Sequence, residues 1–237
     1  MMNYQEVISE LQRLKNPDKV EFKQQKFGVI ATNSLRIYQK DLKELAKRIG
    51  KDTKLAIQLF DSGIYEARIL CSKILDPKDV TNELLEKWVV TFENWEICDT
   101  FCMGLVAKSS FAIPKIKEWS KRENEFEKRA AFATLAAYCM ADKKADNQVF
   151  EQFLPMLIRD AVDARLYVRK ALNWALRNIG KRNVDLHKKA IETAKQIIKL
   201  NTKSSLWIGN DAISQLTKLK VNRLDYPRAI YRIEATK

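Results

Sequence analysis

Turn-forming residues are scarce in this chain: six glycines and five prolines in 237 residues. Strict apolar/polar alternation is nearly absent too. Together these exclude a strand-rich sandwich or barrel, which needs many short alternating segments and the turns between them. No apolar run reaches the roughly 18 residues that a membrane-crossing helix requires. The opening stretch, MMNYQEVISELQRLKNPDKVEF, is amphipathic and charged rather than a secretory leader, so a cytoplasmic protein is expected. Histidine occurs once, as His187, and cysteine four times, at 71, 98, 102 and 139, all in apolar helical stretches. Cys98 and Cys102 stand four apart, but no second ligand pair accompanies them. The expectation is therefore reduced core thiols, no metal site and no cofactor. His187, in NVDLHKKAIETA, reads as part of a solvated helix face. No glycine-rich phosphate loop and no Ser–His or Cys–His pairing stands out, which removes the familiar nucleotide-binding and acyl-transfer motifs.

What the chain has in abundance is helical periodicity. Helices are expected near 3–15, 35–49, 53–61, 64–75, 80–92, 95–108, 112–121, 125–141, 146–160, 165–181, 183–199 and 204–219, separated by short breaks such as NPDK, DSG and IGKRN. The helices also repeat. KRAAFATL, RKALNWAL and NDAISQL align on Ala130, Ala171 and Ala212, each 41 residues after the last, and each segment follows another amphipathic helix. A helix pair recurring at about 40–47 residues is the period of HEAT and armadillo arrays. The expected fold is all-α, a superhelix of antiparallel helix pairs whose second helices line a basic concave face. One such domain is expected over residues 1–219, followed by a loosely held basic tail at 220–237.

Lysine and arginine exceed aspartate and glutamate by 13, which points to an anionic partner if the charge is concentrated. Placement around each helix decides whether it is. In YVRKALNWALRNIGKRN, the residues Val168, Ala171, Leu172, Ala175, Leu176 and Ile179 form a stripe about 140° wide. Trp174 falls about 140° from its centre, beside Lys170, Arg177 and Lys181. In ENWEICDTFCMGLV, Trp95 and Asp99 lie about 40° apart at the edge of the apolar stripe. Arg129 opens RAAFATLAAYCM, a helix apolar almost all round, where a charge needs a carboxylate or phosphate partner. Exposed tryptophan among cations suits a nucleic-acid surface, where cations neutralise phosphate and the ring packs on sugar or base. It also suits a cation–π pocket.

These segments carry a resemblance. From about Leu35 to Leu219, and most sharply at NWEICD, EKRAAF and VRKALNWALRNIGKRN, the chain resembles the AlkD-like alkylpurine DNA glycosylases of the DNA alkylation repair group. The resemblance implies a HEAT-like fold and assigns a Trp-x-x-x-Asp element to Trp95 and Asp99. It places a repeat-helix arginine at Arg129 and a second tryptophan at Trp174, making Asp99, Trp95 and Trp174 the catalytic set. Asn94-Trp95-Glu96 departs from the Trp-Trp-Asp often found there. Arg129, Lys170, Arg177 and Lys181 are the expected DNA contacts, and a monomer acting on double-stranded DNA with alkylated bases is the expected state. It further implies action without flipping the base into a deep pocket. Chemistry agrees: a purine alkylated at N3 or N7 is already cationic and leaves readily, so one carboxylate beside an oxocarbenium-like transition state suffices. Two other readings fit the same fold, a non-catalytic HEAT-repeat nucleic-acid-binding protein and a protein-interaction scaffold. Asp99→Asn separates the first of these from an enzyme.

Overall fold

Polar residues start the helices where the sequence marks them. Asn3, Asp52, Thr81, Asn94, Asn124 and Asn183 each precede a helix and accept, through a side-chain oxygen, a backbone N–H of its first turn, satisfying donors that would otherwise be orphaned. The computed structural model describes residues 2–16, 29, 31 and 33–218. The helices are α1 (Tyr4–Arg13), α2 (Gln39–Ile49), α3 (Thr53–Asp61), α4 (Tyr65–Ile74), α5 (Asn82–Val89), α6 (Trp95–Gly104), α7 (Ala112–Trp119), α8 (Glu125–Ala141), α9 (Asn147–Glu151), α10 (Leu154–Asp160), α11 (Leu166–Gly180), α12 (Val184–Lys199) and α13 (Lys203–Lys218). Short 3-10 turns occupy Pro77–Asp79 and Val106–Lys108. Among the described residues there is no strand, and the all-α expectation holds. The tail expected at 220–237 lies outside the described residues.

Several boundaries differ from the sequence reading, for identifiable reasons. The helix expected from 35 begins at Gln39. The buried Glu66 carboxylate takes the Leu35 N–H at 2.7 Å, the Arg36 N–H at 2.8 Å and the Ser34 hydroxyl at 2.7 Å. Those donors are thereby committed to a tight loop in which Arg36 adopts φ 62°. The helix expected over 146–160 is two, α9 and α10, because Pro155 sits in the first turn of α10 and has no N–H to continue the ladder. The helix expected to 108 stops at Gly104, and the chain tightens into its 3-10 turn.

The described chain divides into two compact units, one up to Phe111 and one from Ala112. In the first, α4 packs against α2, α3 and α6, and α1 against α3 and α4. Its core holds an aromatic cluster: Phe60 stacks on Trp88 with centroids 4.8 Å apart, and Phe101 meets Trp88 edge-on at 5.4 Å. Gly104 is required where α6 crosses α4, since a Cβ there would lie 2.8 Å from the Ser72 carbonyl oxygen.

In the second unit α8, α11 and α13 run side by side, α8 packing on α11 and α11 on α13, while α7 packs on α8 and α12 on both α11 and α13. This is the arrangement the repeat predicts: α8, α11 and α13 are the segments aligned on Ala130, Ala171 and Ala212, all buried. α8 is enclosed nearly all round, from Arg129 through Ala137. The repeats are stitched at their own period. Asn178 Nδ2 donates to Ala136 O at 2.9 Å, the Tyr167 N–H to Glu125 Oε1 at 2.9 Å, and Ser204 Oγ to Asp163 O at 2.6 Å. Each bond joins residues 41 or 42 apart. Gly209 lets α13 approach α12; a Cβ there would lie 2.7 Å from Ala194 O.

Candidate nucleic-acid interface

Trp95 and Asp99 belong to the first unit. Trp95 is the first residue of α6, Asp99 lies one turn on, and both are half-buried. The helix start beneath them is fastened from several sides. Asn94 Oδ1 accepts the Glu96 and Ile97 N–H groups at 2.9 and 3.1 Å. The Tyr65 hydroxyl sits 3.0 Å from both Asn94 Oδ1 and Glu96 Oε2. Gln39 Nε2 donates to Glu96 Oε1 at 3.0 Å. Burial, and then the neighbouring Glu96 carboxylate, push the Tyr65 phenol far up, so it stays protonated as a donor. The departure noted in the sequence thus has a structural use: Asn94 caps the helix and Glu96 ties it to α2 and α4. Cys98 and Cys102 face inward and are buried. Among the described residues no three of His, Cys, Asp or Glu come together to hold a metal ion.

The remaining predicted residues lie in the second unit. Arg129 is buried, donates from Nη1 to the Tyr167 carbonyl at 2.7 Å, and lies 6.0 Å from the centroid of the Tyr167 ring. It therefore links the start of α8 to the start of α11. Lys170 is exposed, at the position one repeat after Arg129. Trp174 is half-buried: one part of it packs against the core of the second unit, so it serves both packing and surface. Arg177 reaches Asp211 of α13 only at 4.0 Å, and its Nε has no hydrogen-bond partner. Lys181 is half-buried, and burial followed by the adjacent Arg177 lowers its ammonium below the ordinary lysine range. Lys170, Trp174, Arg177 and Lys181 share one side of α11, the side turned from the core stripe, as the wheel predicts.

Two features of this layer escaped the sequence reading. Arg169 lies 5.3 Å from the centroid of Trp207, which is 38% exposed, a cation–π pair on α11 and α13. The repeat register carried the signal, since Trp207 stands 41 residues after Leu166, itself exposed. The other is His187, whose Nδ1 hydrogen-bonds the Gly180 carbonyl at 3.1 Å. It closes the end of α11 rather than lying on a solvated face.

The fold and these residues define a class: an all-helical, HEAT-like repeat protein with tryptophan and cations on its second helices. Residues 7–215 match the DNA alkylation repair enzyme family, and the chain belongs to that family. Its role is accordingly in DNA repair. It is similar to two Listeria proteins of uncharacterised function. Lin0241 of Listeria innocua is 27% identical, covering 95% of this chain and all of that protein. Lmo0209 of Listeria monocytogenes is 24% identical, covering 93% and 98%. Two solved structures share the fold. One, described as from a new family related to the HEAT-like repeat DNA glycosylases with affinity for branched DNA structures, superposes with a TM-score of 0.70 at 20% identity, covering 82% of this chain and 83% of that one. The other, AlkD2 from Streptococcus mutans, has a TM-score of 0.50 at 19% identity, covering 83% and 96%. No described helix is long and apolar enough to cross a membrane.

Proposed function

We propose that the protein is a monofunctional DNA glycosylase that hydrolyses the N-glycosidic bond of cationic N3- or N7-alkylated purines in duplex DNA, without deep base flipping. The observation that carries this reading is Asp99, one turn after Trp95 on a helix whose start is fixed by Asn94, Tyr65, Glu96 and Gln39, in a chain of the DNA alkylation repair family. An alkylated purine departs with the bonding electron pair and becomes neutral, so no acid need protonate it. Positive charge then develops on the deoxyribose, where the Asp99 carboxylate and the face of Trp95 favour it; Trp174, in the second unit, offers its face to DNA. Water adds at the anomeric carbon and gives up one proton to solvent, keeping the other as the hydroxyl of an abasic sugar. Arg129, Lys170, Arg177 and Lys181 hold backbone phosphates, contacts that fix register without reading sequence.

The test is release of free base from duplex DNA carrying N7-methylguanine. Asp99→Asn is expected to reduce release by about 100-fold or more while leaving duplex affinity within a few-fold of wild type. Trp174→Ala is expected to reduce both release and affinity, and, because the ring also packs on the core, to lower stability by about 1–2 kcal/mol. A second reading, a non-catalytic binder of branched or otherwise distorted DNA, is favoured by the Arg169–Trp207 pair and by the stated affinity of the relative with TM-score 0.70. Binding without release by wild type, unchanged by Asp99→Asn, would select it.

A further inference from the structure

The first unit contains a cavity of about 460 Å³ between α2, α4 and α6, lined by Gln39, Lys43, Lys51, Ser72, Lys73, Thr100, Met103, Gly104 and Lys108. Its volume lies within the range of ligand sites, yet no carboxylate lines it. Lys51 is already committed: its ammonium donates to the Lys73 and Leu75 carbonyls at the end of α4, at 3.1 and 2.8 Å. Lys43, Lys73 and Lys108 have no ion pair among the described residues. Lys73 is the most enclosed of them, and burial, then the nearby Lys43, lowers its ammonium below the ordinary range against an opposing pull from Glu96.

The neutral groups of the lining narrow what could enter. The Ser72 hydroxyl donates to Ile69 O at 2.7 Å, the Thr100 hydroxyl to Glu96 O at 2.7 Å, and the Gln39 amide to Glu96. Met103 and Gly104 add surface without polar side-chain atoms, and no aromatic ring is present for a base to stack on. Nothing in the lining is arranged to read the edge or the face of a nucleobase. Recognition by lysine is recognition of a compact charge.

We propose that this cavity binds a phosphate of the nucleic-acid backbone through Lys43, Lys73 and Lys108, as an anchoring site on the first unit whose lining includes neither Trp95 nor Asp99. The proposal rests on the DNA reading above and adds where the first unit holds the strand. Lys73 stands within reach of the Lys43 charge in the free protein, and a phosphate relieves that repulsion. Each neutralised phosphate releases counterions, so each lysine contact contributes to the salt dependence of binding.

The experiment measures duplex affinity against salt concentration for wild type, the double variant Lys43→Gln/Lys73→Gln, the charge-preserving Lys73→Arg, and Lys188→Gln as an exposed control elsewhere. Thermal melting of each variant checks folding. The double variant is expected to flatten the slope of log affinity against log salt by about 1–2, near 0.9 per contact, with Lys73→Arg and Lys188→Gln retaining the wild-type slope. A wild-type protein that binds steeply while the double variant keeps the same slope overturns the anchoring site and leaves the glycosylase reading standing. Stabilisation by pyrophosphate that requires Lys43 and Lys73, with the duplex slope unchanged, assigns the cavity to a free phosphorylated molecule and overturns the backbone assignment. Absence of duplex binding by wild type overturns this proposal together with the function on which it rests.

Discussion

Lys181 carries its charge under unfavourable conditions: it is half-buried, and Arg177 stands one turn before it. Such a group destabilises the free protein and becomes favourable when an anion arrives. Lys181→Gln is therefore expected to leave the melting temperature unchanged or raise it, while weakening duplex binding several-fold; melting curves with and without DNA distinguish this from a structural role, which would lower both. At this scale the sequence was informative where a side chain broke a pattern. Trp174 and its cationic neighbours were visible because a complete apolar stripe left no need for them in the core. The wheel missed that a ring as large as tryptophan still covers core atoms at the rim of the stripe. Arg129 was visible as a charge in an apolar helix, but its hydrogen bond to the Tyr167 carbonyl depends on a residue 38 positions away, which no local pattern carries. Lys43, Lys73 and Lys108 were invisible for the same reason: each looks like an ordinary surface lysine until three elements bring them to one cavity.

At the scale of elements, Arg182 ties several segments of the second unit together. Its guanidinium is buried, donates to the carbonyls of Cys139, Asp142 and Ala145, and lies 3.8 Å from the centroid of Phe150. It thus closes the end of α8, whose last carbonyls have no helical partners. Arg182→Met keeps much of the volume and removes the donors; the expected loss is about 3 kcal/mol, read as a lower denaturant midpoint with an unchanged slope. Helix existence was legible nearly throughout, because caps and apolar stripes are local. The exceptions were set by partners elsewhere or by backbone chemistry: Glu66 claims the amides of 35 and 36, and Pro155 interrupts the ladder between α9 and α10.

At the scale of the whole molecule, a carboxylate network ties the end of α10 and the loop before α11 to α8. Lys128 Nζ lies 2.9 Å from Asp160 and 3.2 Å from Asp163, and Arg165 pairs with Asp163. Burial alone would raise the Asp163 carboxyl, but hydrogen bonds from the Arg165 side chain and N–H, and from Lys128, outweigh it and hold the group down at about 2. A carboxylate depressed in the folded state contributes stability that is fully present above its unfolded value, about 4, and is withdrawn as pH falls through the folded one. Calorimetry is expected to show the melting temperature dropping between about pH 4 and pH 2, with a shallower drop in Asp163→Asn, whose stability at neutral pH is already reduced. The 41-residue register was legible in three aligned alanines. The couplings that enforce it were not, because their donors and acceptors are unlike one another: an asparagine to a carbonyl, an amide to a glutamate, a serine to a carbonyl.

Those couplings have a consequence for how such a chain can change length. Each spans one period, so a duplication or deletion of one whole helix pair keeps a backbone carbonyl in the acceptor's place for Asn178 and Ser204, whereas the carboxylate of Glu125 has no counterpart at Leu166. A residue inserted within α11 between Tyr167 and Asn178 instead turns the rest of the helix by about 100° and carries Asn178 away from Ala136, while residues added in the connecting loops leave the bonds in place. Length is therefore free to change in the loops and is held fixed within the helices.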